Sequence, residues 1–125
     1  MVRLLQRRRL NRTKSNKIMA QFEKGKVFNA SQLIDYAEGG IVSKELVHSR
    51  AGSVTLFAFD EGQGLSEHTA PFDALIQVID GELALTVDHE ECLVKAGESY
   101  VIPSGAAHAL HAGRRFKMML TMIRG

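Results

Sequence analysis

The sequence predicts an all-β protein, a single antiparallel barrel or sandwich built from short strands. Short apolar runs rich in Val, Ile, Leu and Phe are separated by Gly, Asp, Asn and Pro at short intervals. Residues 82–88 (ELALTVD) alternate polar and apolar at period two, the signature of a half-buried strand. No helical pattern longer than two turns occurs anywhere, which argues against an α or α/β architecture.

The elements follow in chain order. Residues 27–30 read as a first strand. Ser31 reads as the N-cap of a short helical turn through Leu33, Ile34 and Tyr36, over residues 31–37, stopped by Gly39-Gly40. Residues 41–48 form a strand, with Ala51-Gly52 as its turn. Residues 53–60 (SVTLFAFD) are β-branched and aromatic and form the next. Residues 61–66 are a glycine-bearing loop. The apolar run 74–79, broken only by Gln77, pairs with 82–88 as a hairpin around an Asp80-Gly81 turn. His89-Glu90-Glu91 turns the chain again into a short strand at Leu93-Val94. Strands at 99–102, 108–112 and 115–123 close the list, separated by the tight turn Pro103-Ser104-Gly105.

At 125 residues the chain has the size of one domain able to bury a core without staples. The single cysteine, Cys92, excludes an intramolecular disulfide and suits a reducing compartment; it reads as a half-buried strand residue. The net charge of +2 conceals an asymmetry. Residues 1–20 carry seven basic side chains (Arg3, Arg7, Arg8, Arg9, Arg12, Lys14 and Lys17) and no acid. The other residues hold nine basic and 14 acidic groups, so the folded part, at −5, is not expected to attract nucleic acid. The basic segment has three readings: an arm for an anionic polymer, an Arg-rich targeting leader, or an extension ahead of a start at Met19. The last is preferred, because globular patterning begins only after Met19. The chain thus divides into a basic, disordered extension (1–20) and a folded domain (21–125). No apolar run approaches the ~20 residues of a membrane-spanning helix, so no membrane partner is expected and the expected location is the cytoplasm.

Gly97, Pro103, Gly105 and His108 stand in the pattern G-x5-P-x-G-x2-H, which resembles the second motif of the cupin family. Ala112 holds a position where the family often has Asn. Upstream, Gly62 and His68, with five residues between them, resemble the opening of the first cupin motif, and Gly81 its closing glycine. The family's second His, two residues after the first, is here Ala70; its Glu, seven residues before the closing glycine, is here Ala74. The resemblance implies a jelly-roll barrel of the RmlC-like, conserved-barrel cupin type. It also implies a homodimer, since small cupins commonly pair. The pattern of the last strand agrees: with Met118, Met119, Leu120, Met122 and Ile123 it is apolar on both faces and needs an outer cover. Core filling accounts for these methionines better than a soft-metal site does.

The corners at Pro103-Ser104-Gly105 and Asp80-Gly81 should bring His68 and His108 to one end of the barrel, a common ligand site. Metal-binding cupins hold a divalent cation with three imidazoles and a carboxylate. This chain keeps two of those four ligands, His68 and His108, so a divalent transition metal (Zn, Fe, Mn, Ni or Cu) is only a weak expectation. Asp73 is the candidate third ligand, but a bulge must turn it inward, because adjacent side chains face opposite ways. Glu67 has the same parity problem, and His111 falls on the face opposite His108. Phe72 sits in a loop, where it either caps the pocket or packs on a partner subunit. Phe57 and Phe59 share one strand face with Thr55, and Leu56 and Ala58 the other; one set lines the interior. The candidate ligand-binding residues are therefore His68, Phe72, Asp73 and His108.

Three functional classes remain open. A small-molecule-binding barrel without a catalytic metal is preferred, with the histidines binding or titrating. The second is a metal-dependent enzyme, dioxygenase- or isomerase-like, using His68 and His108. The third is a non-catalytic structural dimer, in which the histidines are remnants bonded at the barrel mouth. Phosphate-cradling glycine loops are absent, and Gly64-Leu65-Ser66-Glu67-His68 lacks the second glycine of a hydrolase elbow.

Overall fold

The computed structural model describes residues 22–124, so the basic extension read at 1–20 lies outside the described residues. One short helix, α1 (Ala30–Leu33), precedes eight strands: β1 (Ile41–Ser49), β2 (Gly52–Phe59), β3 (Gly64–His68), β4 (Asp73–Val87), β5 (Glu90–Lys95), β6 (Ser99–Ile102), β7 (His108–His111) and β8 (Phe116–Ile123). Every strand pair is antiparallel. The path runs β1-β2-β8-β4-β7-β3, with β5 and β6 also paired to β4. The all-β jelly-roll architecture read from the sequence is the one the chain adopts.

Strand β4 organises the barrel. Its first half pairs with β6 and β8 in one sheet, and its second half with β5 and β7 in the other. The hairpin read at Asp80-Gly81 is therefore wrong: the chain does not reverse there but passes from sheet to sheet. A bulge lies between Val78 and Asp80, and Gly81 takes a left-handed φ of 73°. The extra residue flips side-chain parity. Ala74, Ile76 and Val78 point inward before it, and Leu83, Leu85 and Val87 after it, so both halves bury an apolar face in one core. A side chain at Gly81 would also overlap the Arg115 carbonyl oxygen on β8, so only glycine fits this crossing.

Other boundaries move slightly. Residues 27–29 form no strand, and Asn29 rather than Ser31 caps α1, its Oδ1 accepting from the Ser31 amide at 3.1 Å. The β4–β5 turn falls at Asp88-His89, one residue early, with φ of 49° and 70° as a two-residue primed turn needs. β3 begins at Gly64, inside the segment read as a loop.

Two apolar clusters sandwich the larger sheet. Inside the barrel, Phe59 and Phe116 stack at 4.7 Å between ring centroids and are fully buried. Burial of each such ring contributes about 1.5–3 kcal/mol. Outside, Leu46, Leu56 and Ala58 are covered by the segment before β1, through Phe22, Leu33, Ile34 and Tyr36. Both face sets of β2 thus pack into apolar clusters, half-buried Phe57 and buried Phe59 inward and Leu56 and Ala58 outward. The cover on Met119 also comes from this segment, so part of the outer face of β8 is closed within the chain.

A polar clasp holds that cover down. The Tyr36 hydroxyl donates to Asp80 Oδ2, while the Arg115 guanidinium sits 4.2 Å above the ring centroid. Lys117 is buried, and its ammonium donates to the Ser31 carbonyl at 2.6 Å. Burial, followed by the hydrogen bond and charge of Asp80, pushes the Tyr36 phenol well above its usual range. Backbone amides of Gly39 and Glu61 hold the Asp60 carboxyl below the usual carboxylate range. Beyond the clasp, Val47, Val54, Thr121, Leu75 and Val101 form one uncharged row straight across five strands. Val47 and Val101, at its two ends, are exposed.

Candidate pocket at the open end of the barrel

The end of the barrel away from the Phe59–Phe116 stack is hollow. An empty volume of ≈ 450 Å³, including the open mouth, lies between the two sheets. From β8 come Met118, Leu120 and Met122; from β4 come Ala74 and Ile76; Phe57, Ile102 and Leu110 complete the inner wall. Leu65, His68 and Ala70 stand on the β3 side, with His108 on β7 opposite. The alternation of β8 delivers three of these residues: positions 118, 120 and 122 face inward, while Met119 belongs to the outer cluster.

His68 and His108 are direct partners in the β3–β7 ladder, with an irregularity between Leu65 and His68. Their ring centroids lie 4.2 Å apart at 60°. His108 is buried at 7% exposure, whereas His68 sits exposed at the mouth. Each ring turns its δ edge to its own backbone. Nδ1 of His68 donates to the Ser66 carbonyl at 2.8 Å, and Nδ1 of His108 to the Ala106 carbonyl at 3.0 Å. A carbonyl only accepts, so Nδ1 carries the proton in both rings. In the neutral tautomer Nε2 keeps a free lone pair on each.

The positions matched to the first motif converge as well. Ala70 and Ala74 line the same cavity as the two histidines. All four places where metal-binding cupins carry ligands thus meet here, but two present methyl groups. Asp73 does not join them: its Oδ1 accepts from the Ser104 amide at 2.9 Å, tying β4 to the Pro103-Ser104-Gly105 turn. No bulge turns it inward, because the irregularity of β4 lies further on, after Val78. Phe72 also lies off the cavity wall, with the Arg124 guanidinium 5.1 Å from its ring centroid. Glu67 lies 3.9 Å from the ring of exposed His89, and His111 faces solvent. Among the described residues, no group of three His, Cys, Asp or Glu side chains is placed to hold a metal ion. The donor set is two imidazoles without a carboxylate, and it does not fit the metal centre of the family.

The comparisons agree with this fold. The family model for the cupin domain matches residues 55–123. The chain belongs to the cupin family. This cupin superposes on a conserved protein of unknown function from Streptococcus pyogenes with a TM-score of 0.79 and 30% identity, covering 86% of this chain and 96% of that one. A cupin 2 conserved barrel domain protein from Leptotrichia buccalis is 42% identical at a TM-score of 0.76; the match covers 78% of this cupin and 47% of that longer chain. A cupin superfamily protein from Desulfitobacterium hafniense is 26% identical at 0.76, over 84% of this chain and 95% of its own. No curated protein matches. Among the described residues, no helix is long and apolar enough to cross a membrane.

The apolar wall was the part of the site hidden in the sequence. Leu65, Ile102, Leu110 and Leu120 carry no motif. Only the parity of their strands, once the interior face is known, assigns them to the cavity.

Proposed function

We propose that this cupin binds a small, largely apolar molecule in the open end of its barrel, with His68 and His108 as the polar anchor and no resident metal. One observation carries the reading. Ten of the twelve residues lining the cavity are apolar, and the two polar ones are the paired histidines. A thermal-shift screen of single-ring compounds tests it, run on the wild type and on Ala70→Phe, which plugs the mouth. Hits on the wild type that vanish in the folded variant support the reading. Hits unaffected by the plug, or none at all, would sink it.

A metal-dependent enzyme is the second reading, favoured by one feature: an Nδ1–H bond to a backbone carbonyl is how metal-ligating histidines are commonly oriented. Elemental mass spectrometry of tag-free protein separates the two, since one retained equivalent of a transition metal per chain would favour the enzyme. A second copy of the chain is the proposed partner for the row from Val47 to Val101, whose uncharged, edge-to-edge character suits a two-fold interface. Sedimentation of wild type against Val101→Glu tests this. The proposed location remains the cytoplasm.

A further inference from the structure

The paired histidines say more about the occupant than that it is apolar. Resting on the pocket reading above, we infer that the cavity selects a neutral ligand whose polar head is a hydrogen-bond donor, a hydroxyl on a small apolar ring, over the corresponding ether or carboxylate.

Both δ nitrogens are spent as donors to the carbonyls of Ser66 and Ala106. Each neutral ring therefore offers the cavity an acceptor and nothing else. Neither ring satisfies the other, because a hydrogen bond between two Nε2 atoms needs a proton that neither carries. The two rings that carry these acceptors lie with centroids 4.2 Å apart at 60°, and His108 is buried. Among the described residues no other polar side chain lines the cavity, so the matching donor is one a ligand brings. A ligand hydroxyl supplies it while its apolar body fills the space beside Met118, Leu120 and Ile76.

Charge separates the alternatives. Among the described residues no Lys or Arg lines the cavity. A carboxylate entering it would lose its hydration and meet two lone pairs and no countercharge. An ether has the same shape as the alcohol but leaves both acceptors unpaired, so it should bind more weakly by roughly tenfold, within a range of about 5- to 150-fold.

The test is calorimetric titration at pH 8 with three matched probes: 4-ethylphenol, 4-ethylanisole and 4-ethylbenzoate. The phenol is neutral there, its pKa lying near about 10. The expected order is phenol tightest, anisole about tenfold weaker, benzoate weakest. In His68→Leu and in His108→Leu the preference for phenol over anisole should collapse toward unity while anisole still binds. His68 is exposed, so its variant keeps the test alive if the buried His108 does not tolerate replacement. Anisole or benzoate binding as tightly as the phenol would overturn the donor assignment and leave the pocket reading standing. Failure of all three probes to bind would overturn both.

Discussion

Replacing Gly81 by alanine should be among the most damaging small changes in this barrel. Two separate penalties meet at that position. The left-handed φ of 73° is a conformation that costs an L-residue about 1–2 kcal/mol. The added methyl would overlap the Arg115 carbonyl and lie 2.9 Å from Phe116 Cα, both backbone atoms of β8. Rigid backbone cannot rotate away as a flexible side chain would, so β4 and β8 must separate, at roughly 1–3 kcal/mol by analogy with overpacked cores. The total is roughly 2–5 kcal/mol, a large share of the ~5–15 kcal/mol that holds a domain of this size. Gly105 supplies the control. It too has a left-handed φ, 83°, but a methyl there would meet nothing within 4 Å. Gly105→Ala should therefore show only the conformational part, about 1–2 kcal/mol. Urea denaturation of both variants measures the difference. With an m-value of about 1.5 kcal/mol/M, Gly81→Ala should lower the midpoint by more than about 1 M and clearly exceed Gly105→Ala. Equal losses would refute the close approach of β4 to β8 and, with it, the sheet-to-sheet crossing that shapes the pocket.

The double substitution Ala70→His with Ala74→Glu should create binding of about one divalent transition metal per chain, measured by elemental mass spectrometry, because both positions face the same cavity as His68 and His108. No gain in metal would mean that these four positions do not converge. Asp73→Ala should remove the acceptor for the Ser104 amide and cost about 0.5–1.5 kcal/mol, with ligand affinity at the pocket unchanged in calorimetry. A loss of affinity would place Asp73 in the site after all. Tyr36→Phe should cost about 0.5–1.5 kcal/mol at neutral pH through the lost bond to Asp80. Because the folded phenol titrates above its unfolded value of about 10, the stabilising contribution of Tyr36 is complete below that pH and fades as pH rises beyond it. Denaturation curves between about pH 9 and 11 should therefore fall more steeply for wild type than for Tyr36→Phe; parallel curves would contradict the clasp.

What the sequence disclosed depended on how local the physics was. The spacing of Gly97, Pro103, Gly105 and His108 is local, and it located one half of the site. Its partner motif placed His68 and both alanines around the same cavity, although two of its three ligand positions are empty of donors. Asp80-Gly81 shows the opposite case. A glycine with left-handed φ serves a hairpin turn and a bulge equally, and the choice is made by β6 and β8, which lie far along the chain. The same holds for the outer cover. Phe22, Leu33 and Tyr36 are too sparsely spaced to announce an amphipathic element, and only the bare faces of Leu56 and Met119 give them a place to pack. Asp73 fell outside the pocket for a reason that parity already contained: its neighbour Ala74 faces inward, so it faces out, and the Ser104 amide takes it.

The most direct test of the pocket is a methyl NMR titration of protein carrying ¹³C-labelled methionine methyls, with 4-ethylphenol as the probe. Met118 and Met122 line the cavity, and Met119, on the same strand, lies in the outer cluster. Saturable shifts at Met118 and Met122 with Met119 unmoved are the expected result. Shifts at Met119 alone, or equal shifts at all three, would contradict binding inside the barrel.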